Sequence, residues 1–304
     1  MKAIDLFAGM GGNTEGARMA GVEVVWAANH WQEAVKAHEL NHPGTAHKCQ
    51  DLHQADWSEV PAHDLLMASP ACTGHTPARG KERPHHDAAR STAWAVISAL
   101  EYHRPQAAMV ENVPAFGKWA LYPAWVSAAH ALGYAVSPHI MDASHHGVPQ
   151  ERVRMIIVLT RSKHPLELKF ERKPAVPASS FIQFDAGRWS AIDKPGRAGA
   201  TLERVANGRQ RFGDRFVMPY YKTGSGKTGR CLDRPIGTIT TRDRWAIVDG
   251  DRMRMLLPEE SKAAMSFPAD YKLPADSKLA THMLGNATCP KHIGDVVAAI
   301  RRAA

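Results

Sequence analysis

The chain has 304 residues, of which 44% are hydrophobic and 22% are charged, and this balance fits a folded globular protein of one large or two smaller domains. No stretch approaches the roughly 18 consecutive apolar residues of a membrane-spanning helix, and the N-terminal apolar run ends at Asp5, too early for a secretory signal. The four cysteines lie far apart, which argues against a disulfide framework or a CxxC metal or redox pair. We therefore expect a cytoplasmic protein with no membrane partner and no metal site.

Basic residues are concentrated in the second half of the chain. Residues 1–149 hold 10 Lys and Arg against 14 Asp and Glu, whereas residues 150–304 hold 28 against 16. The stretch 161–248 alone carries 18 basic and 8 acidic residues, and arginine outnumbers lysine there. Because arginine can form two parallel hydrogen bonds to phosphate or to guanine, this composition favours a nucleic-acid partner over a merely solvated basic face.

Short apolar runs alternate with helical patterns through the first half of the chain. Helical patterns occupy residues 91–103 and 119–132, for example. The alternation predicts an α/β fold built on a doubly wound, mainly parallel sheet. The runs that we assign to strands are residues 3–7, 22–29, 63–68, 107–110, 134–140 and 155–160.

The composition changes after Thr160, where prolines and glycines interrupt every apolar run. We predict a first domain over residues 1–160 and a smaller irregular domain over residues 161–248. A helical pattern near the C-terminus, within residues 249–304, indicates a segment that returns to the first domain.

The first predicted strand runs into a glycine-rich turn that is followed by a helical pattern. In this arrangement backbone amides approach a nucleotide-like ligand, although the turn lacks the full GxGxxG spacing. Read as a whole, residues 5–12 (Asp-Leu-Phe-Ala-Gly-Met-Gly-Gly) resemble the first motif of the DNA (cytosine-5) methyltransferase family. The resemblance implies a Rossmann-like fold that binds S-adenosylmethionine through Asp5, Phe7, Ala8, Gly9, Gly11 and Gly12.

A cysteine follows the strand predicted at residues 63–68, in the sequence Ser-Pro-Ala-Cys-Thr-Gly of residues 69–74. Carbon 5 of cytosine accepts a methyl group only after a thiolate has added to carbon 6 and created a carbanion-like centre. The resemblance makes Cys72 that nucleophile. The usual family pattern is Pro-Cys-Gln, and here Ala71 and Thr73 flank the cysteine while Pro70 is displaced by one position.

Two further motifs supply groups for the base. Residues 110–114 (Val-Glu-Asn-Val-Pro) resemble the family's Glu-Asn-Val motif, which implies that a protonated Glu111 donates to ring nitrogen 3. Residues 150–154 (Gln-Glu-Arg-Val-Arg) match Gln-x-Arg-x-Arg, which implies that Arg154 contacts the cytosine oxygen and Arg152 supports the loop. Because the two arginines are two residues apart at the start of a strand, we expect both to face one side.

The cofactor site implied by the resemblance has one departure from the family. His30 stands where an acid normally binds the ribose hydroxyls, so the contact comes from His30 itself or Glu33, or else the affinity is weaker or the cofactor is altered. Trp31 is expected to stack on adenine and Asp51 to accept from its amino group. Residues 284–287 (Leu-Gly-Asn-Ala) resemble the tenth motif, and the expected site is completed by Leu52, Pro70, Asn286 and Ala287.

The remaining motifs concern DNA. Residues 234–241 resemble the threonine-bearing turn of the target-recognition domain, and residues 254–260 followed by 266–271 resemble the ninth motif. The basic loop 73–90 is expected to close over the base. The DNA contacts that we predict are Thr76, Arg79, Gln150, Thr238, Thr240, Arg242 and Arg244.

The resemblance spans nearly the whole chain and implies one activity. The expected enzyme acts as a monomer on double-stranded DNA in the cytoplasm of a prokaryotic or phage-infected cell, associated with the nucleoid. It transfers a methyl group from S-adenosylmethionine to carbon 5 of a flipped cytosine through a covalent Cys72 adduct. Residues 1–160 would bind the cofactor and catalyse, and residues 161–248 would recognise a short or degenerate target. Alternatives are an RNA cytosine-5 methyltransferase, a non-catalytic DNA-binding regulator derived from the family, or, last, a small-molecule methyltransferase or nicotinamide enzyme.

Overall fold

The computed structural model describes residues 1–71, 90–220, 226–242 and 244–303. The chain forms two compact units. The first consists of Met1–Ala143, Val153–Arg172 and Thr288–Ala304, and the second consists of Ser144–Arg152 and Lys173–Ala287. Within the described residues, no helix is long and apolar enough to cross a membrane.

A seven-stranded sheet forms the centre of the first unit. Its spatial order is β3-β2-β1-β4-β5-β7-β6, in which β7 is antiparallel to both neighbours and the other adjacent pairs are parallel. This arrangement confirms the doubly wound, mainly parallel sheet that the sequence predicts. The strands are β1 (Lys2–Leu6), β2 (Glu23–Asn29), β3 (Ala46–Cys49), β4 (Leu65–Ala68), β5 (Ala107–Asn112), β6 (Ala135–Asp142) and β7 (Val153–Thr160).

Helices cover both faces of this sheet because its strands are apolar on both sides. On one face, Ile4, Leu66 and Val110 pack against α3 and α4; on the other, Ala3 and Met67 pack against α1 and α8. The helices of the unit, numbered in chain order, are α1 (Gly12–Met19), α2 (Gln32–Asn41), α3 (Ala93–His103), α4 (Tyr122–Ala131) and α8 (Pro290–Ala303).

The second unit contains a four-stranded antiparallel sheet. Its order is β8-β11-β10-β9, and helix α5 packs on β9. Phe216 lies at the centre of its core and fills the space left by Gly208 and Gly229, where an added Cβ would overlap the ring. Its elements are β8 (Ser190–Ala191), α5 (Gly199–Phe212), β9 (Arg215–Pro219), β10 (Trp245–Asp249), β11 (Arg252–Met255), α6 (Pro258–Ala264) and α7 (Ser277–Asn286).

The unit boundaries differ from those expected from composition. The C-terminal segment 249–304 is divided, because β11 pairs with β10 and so holds its residues in the second unit. Only residues 288–304 return to the first unit, where the apolar face of α8 packs against α1. The functional roles assigned to these segments stay predictions.

A buried ion pair organises the chain around α6. Arg254 donates from Nη2 to Oε1 of Glu260 at 2.6 Å and from Nη1 to Oε2 at 2.7 Å, and both side chains are almost completely buried. The Glu260 oxygens also accept from the backbone N–H groups of Gln183 and Leu257. Removing one member of such a pair leaves an uncompensated charge in the interior, which is strongly destabilising.

We expect Glu260→Gln to lower the free energy of unfolding by about 3–5 kcal/mol, because Arg254 loses its counter-charge. The neighbouring Glu259→Gln is the matched control, since the Glu259 side chain is 59% exposed and its ion pair with Lys262 contributes at most about 1 kcal/mol. Urea unfolding of the three proteins measures both values. Equal losses for the two variants would contradict this account.

Close helix packing fixes α1 against α8. A Cβ added at Gly16 would lie 2.7 Å from Cβ of Ile293 and 2.8 Å from the carbonyl oxygen of Pro290. A Cβ at Gly12 would lie 2.5 Å from the carbonyl oxygen of Thr288. The two glycines of α1 are therefore required by the contact with the C-terminal segment.

Gly16→Ala should destabilise the protein by about 1–3 kcal/mol through overpacking, although alanine is the better helix former by about 1 kcal/mol. At Gly44 an added Cβ meets nothing within 4 Å, so Gly44→Ala serves as the control and should leave the melting temperature nearly unchanged. Thermal unfolding compares the two variants, and an unchanged or raised melting temperature for Gly16→Ala would refute the packing argument.

Candidate active site

The turn after β1 has a backbone conformation that leaves room for a ligand. Phe7, Gly9 and Gly11 have φ values of +57°, +56° and +99°, and an added Cβ at Gly9 would meet nothing within 4 Å. Helix α1 begins directly after this turn, and no side chain caps its first N–H groups. Unfilled space beside uncapped amides fits the carboxylate-bearing end of a ligand such as S-adenosylmethionine.

Asp5 supports this turn from the interior. Its carboxylate is fully buried and accepts hydrogen bonds from Asn13 Nδ2 at 3.1 Å and Thr14 Oγ1 at 2.9 Å. Asn13 also donates to Ser69 Oγ and accepts from Thr288 Oγ1. Burial raises the pKa of Asp5 to about 7, because hydrogen bonds from Asn13 and Thr14 offset only part of the lost hydration. The expected direct contact of Asp5 with the cofactor is therefore corrected to a role beneath the turn.

The other expected cofactor residues of the first unit follow neighbouring strands. His30 is exposed and Trp31 half-buried after β2, Asp51 is exposed and Leu52 buried after β3, and Pro70 is buried after β4. Because these strands are parallel to β1, their carboxyl ends meet at one edge of the sheet, where ligands of such sheets bind. The structure thus brings these residues to the edge that carries the glycine turn. Asn286 and Ala287, at the end of α7, belong to the second unit.

Glu111 and Arg154 form an ion pair at the same edge. Glu111 lies near the end of β5 and Arg154 near the start of the antiparallel β7, and Nε of Arg154 is 3.1 Å from Oε1 of Glu111. Both side chains are largely buried. The guanidinium also donates to the carbonyl oxygen of Val153 at 2.7 Å, which fixes its orientation. The pair supplies an acidic and a cationic group side by side.

The segment that carries Cys72 begins beside this ion pair. Asn112 donates from Nδ2 to the carbonyl oxygen of Pro70 at 3.1 Å, and the N–H of Ala71 donates to Thr92 Oγ1 at 3.1 Å. Cys72, Thr76 and Arg79 lie outside the described residues. Sequence reasoning gave Asn112 and Thr92 no role, although Asn112 stands inside the Glu-Asn-Val motif.

Arg152 and Gln150 are interior residues of the second unit. Arg152 donates to three backbone carbonyls, those of Ile239, Gly285 and Ala287, at 2.8–3.0 Å. It precedes β7, which begins at Val153, so the expectation that both arginines share one side of a strand is wrong.

Gln150 is fully buried, and its amide accepts from the N–H of Ile239 and donates to Ala264 and Met265. The predicted DNA contact by Gln150 is therefore also wrong in this structure, because none of its side chain is exposed.

The threonine-bearing turn has its hydroxyl groups engaged within the second unit. Thr238 Oγ1 donates to the carbonyl oxygen of Glu151 at 2.8 Å, and Thr240 Oγ1 donates to that of Arg242 at 3.0 Å. The side chain of Arg242 is exposed and that of Arg244 is half-buried. Of the predicted contacts, Arg242 is thus the most accessible cation of this turn in the described part of the chain.

Many arginines of the second unit hold the fold together. Arg209 donates to Gly250 and Asp251, and Arg215 pairs with Asp249. These guanidinium groups use on carbonyls and carboxylates the same N–H donors that would contact phosphate. The number of arginines in the sequence therefore overstates the positive charge that is available to a nucleic-acid partner. The arginines engaged in this way include Arg197, Arg204, Arg209, Arg215, Arg230, Arg252 and Arg254.

Comparison with known proteins decides the family. A family model described as C-5 cytosine-specific DNA methylase matches residues 1–194. The chain belongs to this family. It is a DNA cytosine-5 methyltransferase, whose methyl donor is S-adenosylmethionine. The fold, the activity and the cofactor expected from the sequence motifs are confirmed.

Individual relatives resemble this methyltransferase at low identity. The Type II methyltransferase M.NlaX of Neisseria lactamica is 24% identical over 308 residues, covering 95% of this chain and 92% of the relative. M.AgeI of Thalassovita gelatinovora is 32% identical over 168 residues, which cover 52% of this chain and 39% of M.AgeI. A DNMT2 mutant structure from Spodoptera frugiperda has a TM-score of 0.73 at 18% identity over 99% of both chains, and this likeness supports the fold alone.

Asn112→Ala should lower kcat of the methyltransferase by about 10- to 100-fold while the KM for S-adenosylmethionine stays within about twofold, because the start of the Cys72 segment loses its anchor. Asn207→Ala, which removes a side-chain hydrogen bond to Lys227 in the second unit, is the control. Steady-state methylation assays test both variants. A normal kcat for Asn112→Ala would show that the anchor is dispensable.

Proposed function

We propose that the enzyme methylates cytosine in double-stranded DNA and that Cys72 is its nucleophile. The observation that carries the proposal is the position of Ala71. Its N–H is held by Thr92, and the preceding Pro70 is held by Asn112, the residue that follows Glu111. The residue before Cys72 is thus held beside the end of β5, where Glu111 and Arg154 are placed to receive a base.

The proposed reaction begins with extrusion of the target cytosine, because a stacked base hides both faces of its ring. Extrusion costs a few kcal/mol, which phosphate contacts offset. The Cys72 thiolate then adds to carbon 6, while Arg154 donates a hydrogen bond to the cytosine oxygen and Glu111, which must take up a proton to act as a donor, donates to ring nitrogen 3. These contacts stabilise the electron density that the addition places on the ring.

S-adenosylmethionine supplies the methyl group to carbon 5. The proton on carbon 5 then passes to water, its electron pair re-forms the double bond between carbons 5 and 6, and Cys72 leaves carbon 6 as a thiolate. We assign the turn Gly9–Gly12, with Trp31 and Asp51, to the methyl donor. Exposed His30 or Glu33 reaches its ribose hydroxyls, since a neutral imidazole serves a hydroxyl as donor or acceptor.

Phosphate contacts are assigned to Arg242, to Arg244 and to the backbone of the turn 238–240. The hydroxyls of Thr238 and Thr240 are engaged with backbone carbonyls, so their contribution is to shape the turn. Arg188 and Arg211 are exposed as well and extend the cationic surface of the second unit. A monomer that uses these cations binds DNA with an affinity that falls as the salt concentration rises, and it associates with the nucleoid.

Trapping with 5-fluorocytosine tests this function. Duplex DNA that contains 5-fluorocytosine should form a denaturant-resistant complex with the enzyme and S-adenosylmethionine, because fluorine blocks release from the adduct. Cys72→Ser should abolish the complex. Cys231→Ser should leave it intact, because Cys231 is a partly exposed cysteine that the proposed reaction does not use.

The same experiment separates the alternatives. A complex that survives in Cys72→Ser would assign the nucleophile to another residue. A complex with 5-fluorocytosine RNA and none with any duplex DNA would make the enzyme an RNA methyltransferase. No complex with either nucleic acid would favour a non-catalytic regulator.

A further inference from the structure

A continuous series of hydrogen bonds runs from beneath the glycine turn that follows β1 toward the protein surface. Asp5 Oδ2 is 2.9 Å from Thr14 Oγ1, which is 2.9 Å from His38 Nε2. The other nitrogen of that ring, Nδ1, is 2.7 Å from His47 Nε2. Asp5, Thr14 and His38 are buried, whereas His47, on the edge strand β3, is partly exposed.

The outer end of the chain has a further partner. The His47 ring also hydrogen-bonds to the backbone carbonyl of Thr45. Because Nε2 of His47 faces His38, the nitrogen left to donate to Thr45 is Nδ1. A neutral His47 that donates from Nδ1 has an unprotonated Nε2, which must accept from His38.

Two arrangements of the same protons satisfy every bond of this chain. In one, Asp5 is protonated and donates to Thr14, the Thr14 hydroxyl donates to Nε2 of His38, and Nδ1–H of His38 donates to His47. In the other, each proton has moved one bond outward. Asp5 is then ionised and accepts from Thr14, His38 carries its proton on Nε2, and His47 is an imidazolium. Release of the Nδ1 proton of His47 to solvent leaves its Nε2–H donating to Nδ1 of His38 and gives up the bond to Thr45.

We propose that Asp5, Thr14, His38 and His47 form a proton relay that couples binding of the cationic methyl donor at the glycine turn to proton release at the surface. This inference rests on the proposed role of that turn. The sulfonium of S-adenosylmethionine is positive and the sulfide of S-adenosylhomocysteine is neutral, so an ionised carboxylate beneath the turn favours the donor over the product. Methyl transfer removes that charge and favours return of the proton to Asp5.

The protonation equilibria of the members suit this role. Burial raises the pKa of Asp5 to about 7, so its charge changes near neutral pH. Burial lowers the pKa of His38 well below its usual value, which keeps this ring neutral and able to donate at one nitrogen while it accepts at the other. Burial also lowers the pKa of His47, which therefore passes a proton to water readily.

The neighbouring charged and titratable groups lie on or beside the helices packed around the relay. On α1, buried Glu15 is paired with Arg18. Just after α2, His42 hydrogen-bonds to the carbonyl of Gly11, and burial lowers its pKa to about 4. His42 adds to the lowering of the His38 pKa, and Glu39 on α2 opposes the lowering of the His47 pKa. Helix α8, packed on α1, carries Lys291, His292 and Asp295. The pKa of Asp5 itself is raised by burial and is lowered in part by the hydrogen bonds from Asn13 and Thr14.

The tautomer of His38 is the direct readout, and it needs no cofactor. In protein labelled with ¹⁵N-histidine, the His38 proton should move from Nδ1 to Nε2 as the pH rises through about 7, because Asp5 loses its proton there. Asp5→Asn should remove this change. His130, whose Nδ1 bonds to the carbonyl of Tyr134 outside the relay, is the internal control. A His38 ring that keeps one tautomer from about pH 5 to about pH 9 in the unmodified protein would overturn the relay.

Ligand addition tests the coupling. Near pH 6, S-adenosylmethionine should shift His38 toward the Nε2–H tautomer, and S-adenosylhomocysteine should shift it much less. Calorimetry near pH 7 in two buffers of different ionisation enthalpy should detect release of up to about one proton with the methyl donor, and this release should vanish in Asp5→Asn.

The outcomes separate this inference from the proposed function. The tautomer of His38 could depend on pH and yet respond equally to both ligands, or to neither. In that case the hydrogen-bonded groups would not be coupled to binding of the methyl donor, and the proposal would be overturned. Failure of 5-fluorocytosine trapping alongside an intact tautomer change would instead reject the proposed nucleophile and substrate.

Discussion

The contact between α1 and α8 is the constraint on which the first unit depends. Gly12 and Gly16 bring the two helices close enough for Thr288 to hydrogen-bond to Asn13. Asn13 in turn holds the buried carboxylate of Asp5 and the hydroxyl of Ser69. One packing contact thus joins the last helix, the glycine turn and the end of β4, which leads toward Cys72. In a fold of this kind the ends of the parallel strands define the site, and this contact determines how those ends are held.

Different strands carry different groups of site residues at this edge of the sheet. The ends of β1, β2 and β3 carry residues suited to a nucleoside-containing ligand, and the ends of β4 and β5 carry the start of the Cys72 segment and Glu111. The antiparallel strand β7 adds Arg154 to the same edge, which a purely parallel arrangement would place elsewhere. The glycine turn, the residues that lead to Cys72 and the ion pair of Glu111 and Arg154 are therefore all held by strands of one sheet.

Much of the first unit could be predicted from the sequence because its buried strands are apolar along their whole length. The strand β3 (Ala46–Cys49) gave no such signal, since it lies at the sheet edge and most of it is exposed. The sheet of the second unit was missed because prolines and glycines separate its short strands, and pairing between β10 and β11 is a tertiary property.

At the site, the sequence motifs indicated which residues belong to it but not which contacts their side chains make. Gln150 and Arg152 match a family motif and are nevertheless buried, with their hydrogen-bonding groups used inside the protein. Asp5 likewise looks like a ligand contact in a strand-turn-helix pattern, yet it is enclosed by α1. Burial of a polar side chain depends on segments far away in sequence, here residues 239–287 and 288, and a local pattern carries no information about them.

The chain leaves the first unit after residue 172 and returns to it only at residue 288. During synthesis on a ribosome, more than a hundred residues must therefore be added after residue 172 before α8 can pack on the face of the sheet that carries α1. Until then Val24, Met67 and Met109, which α8 helps to cover in the finished protein, lie open to water and to other nascent chains. A product truncated before residue 288 would expose the same apolar face, because α8 would be missing.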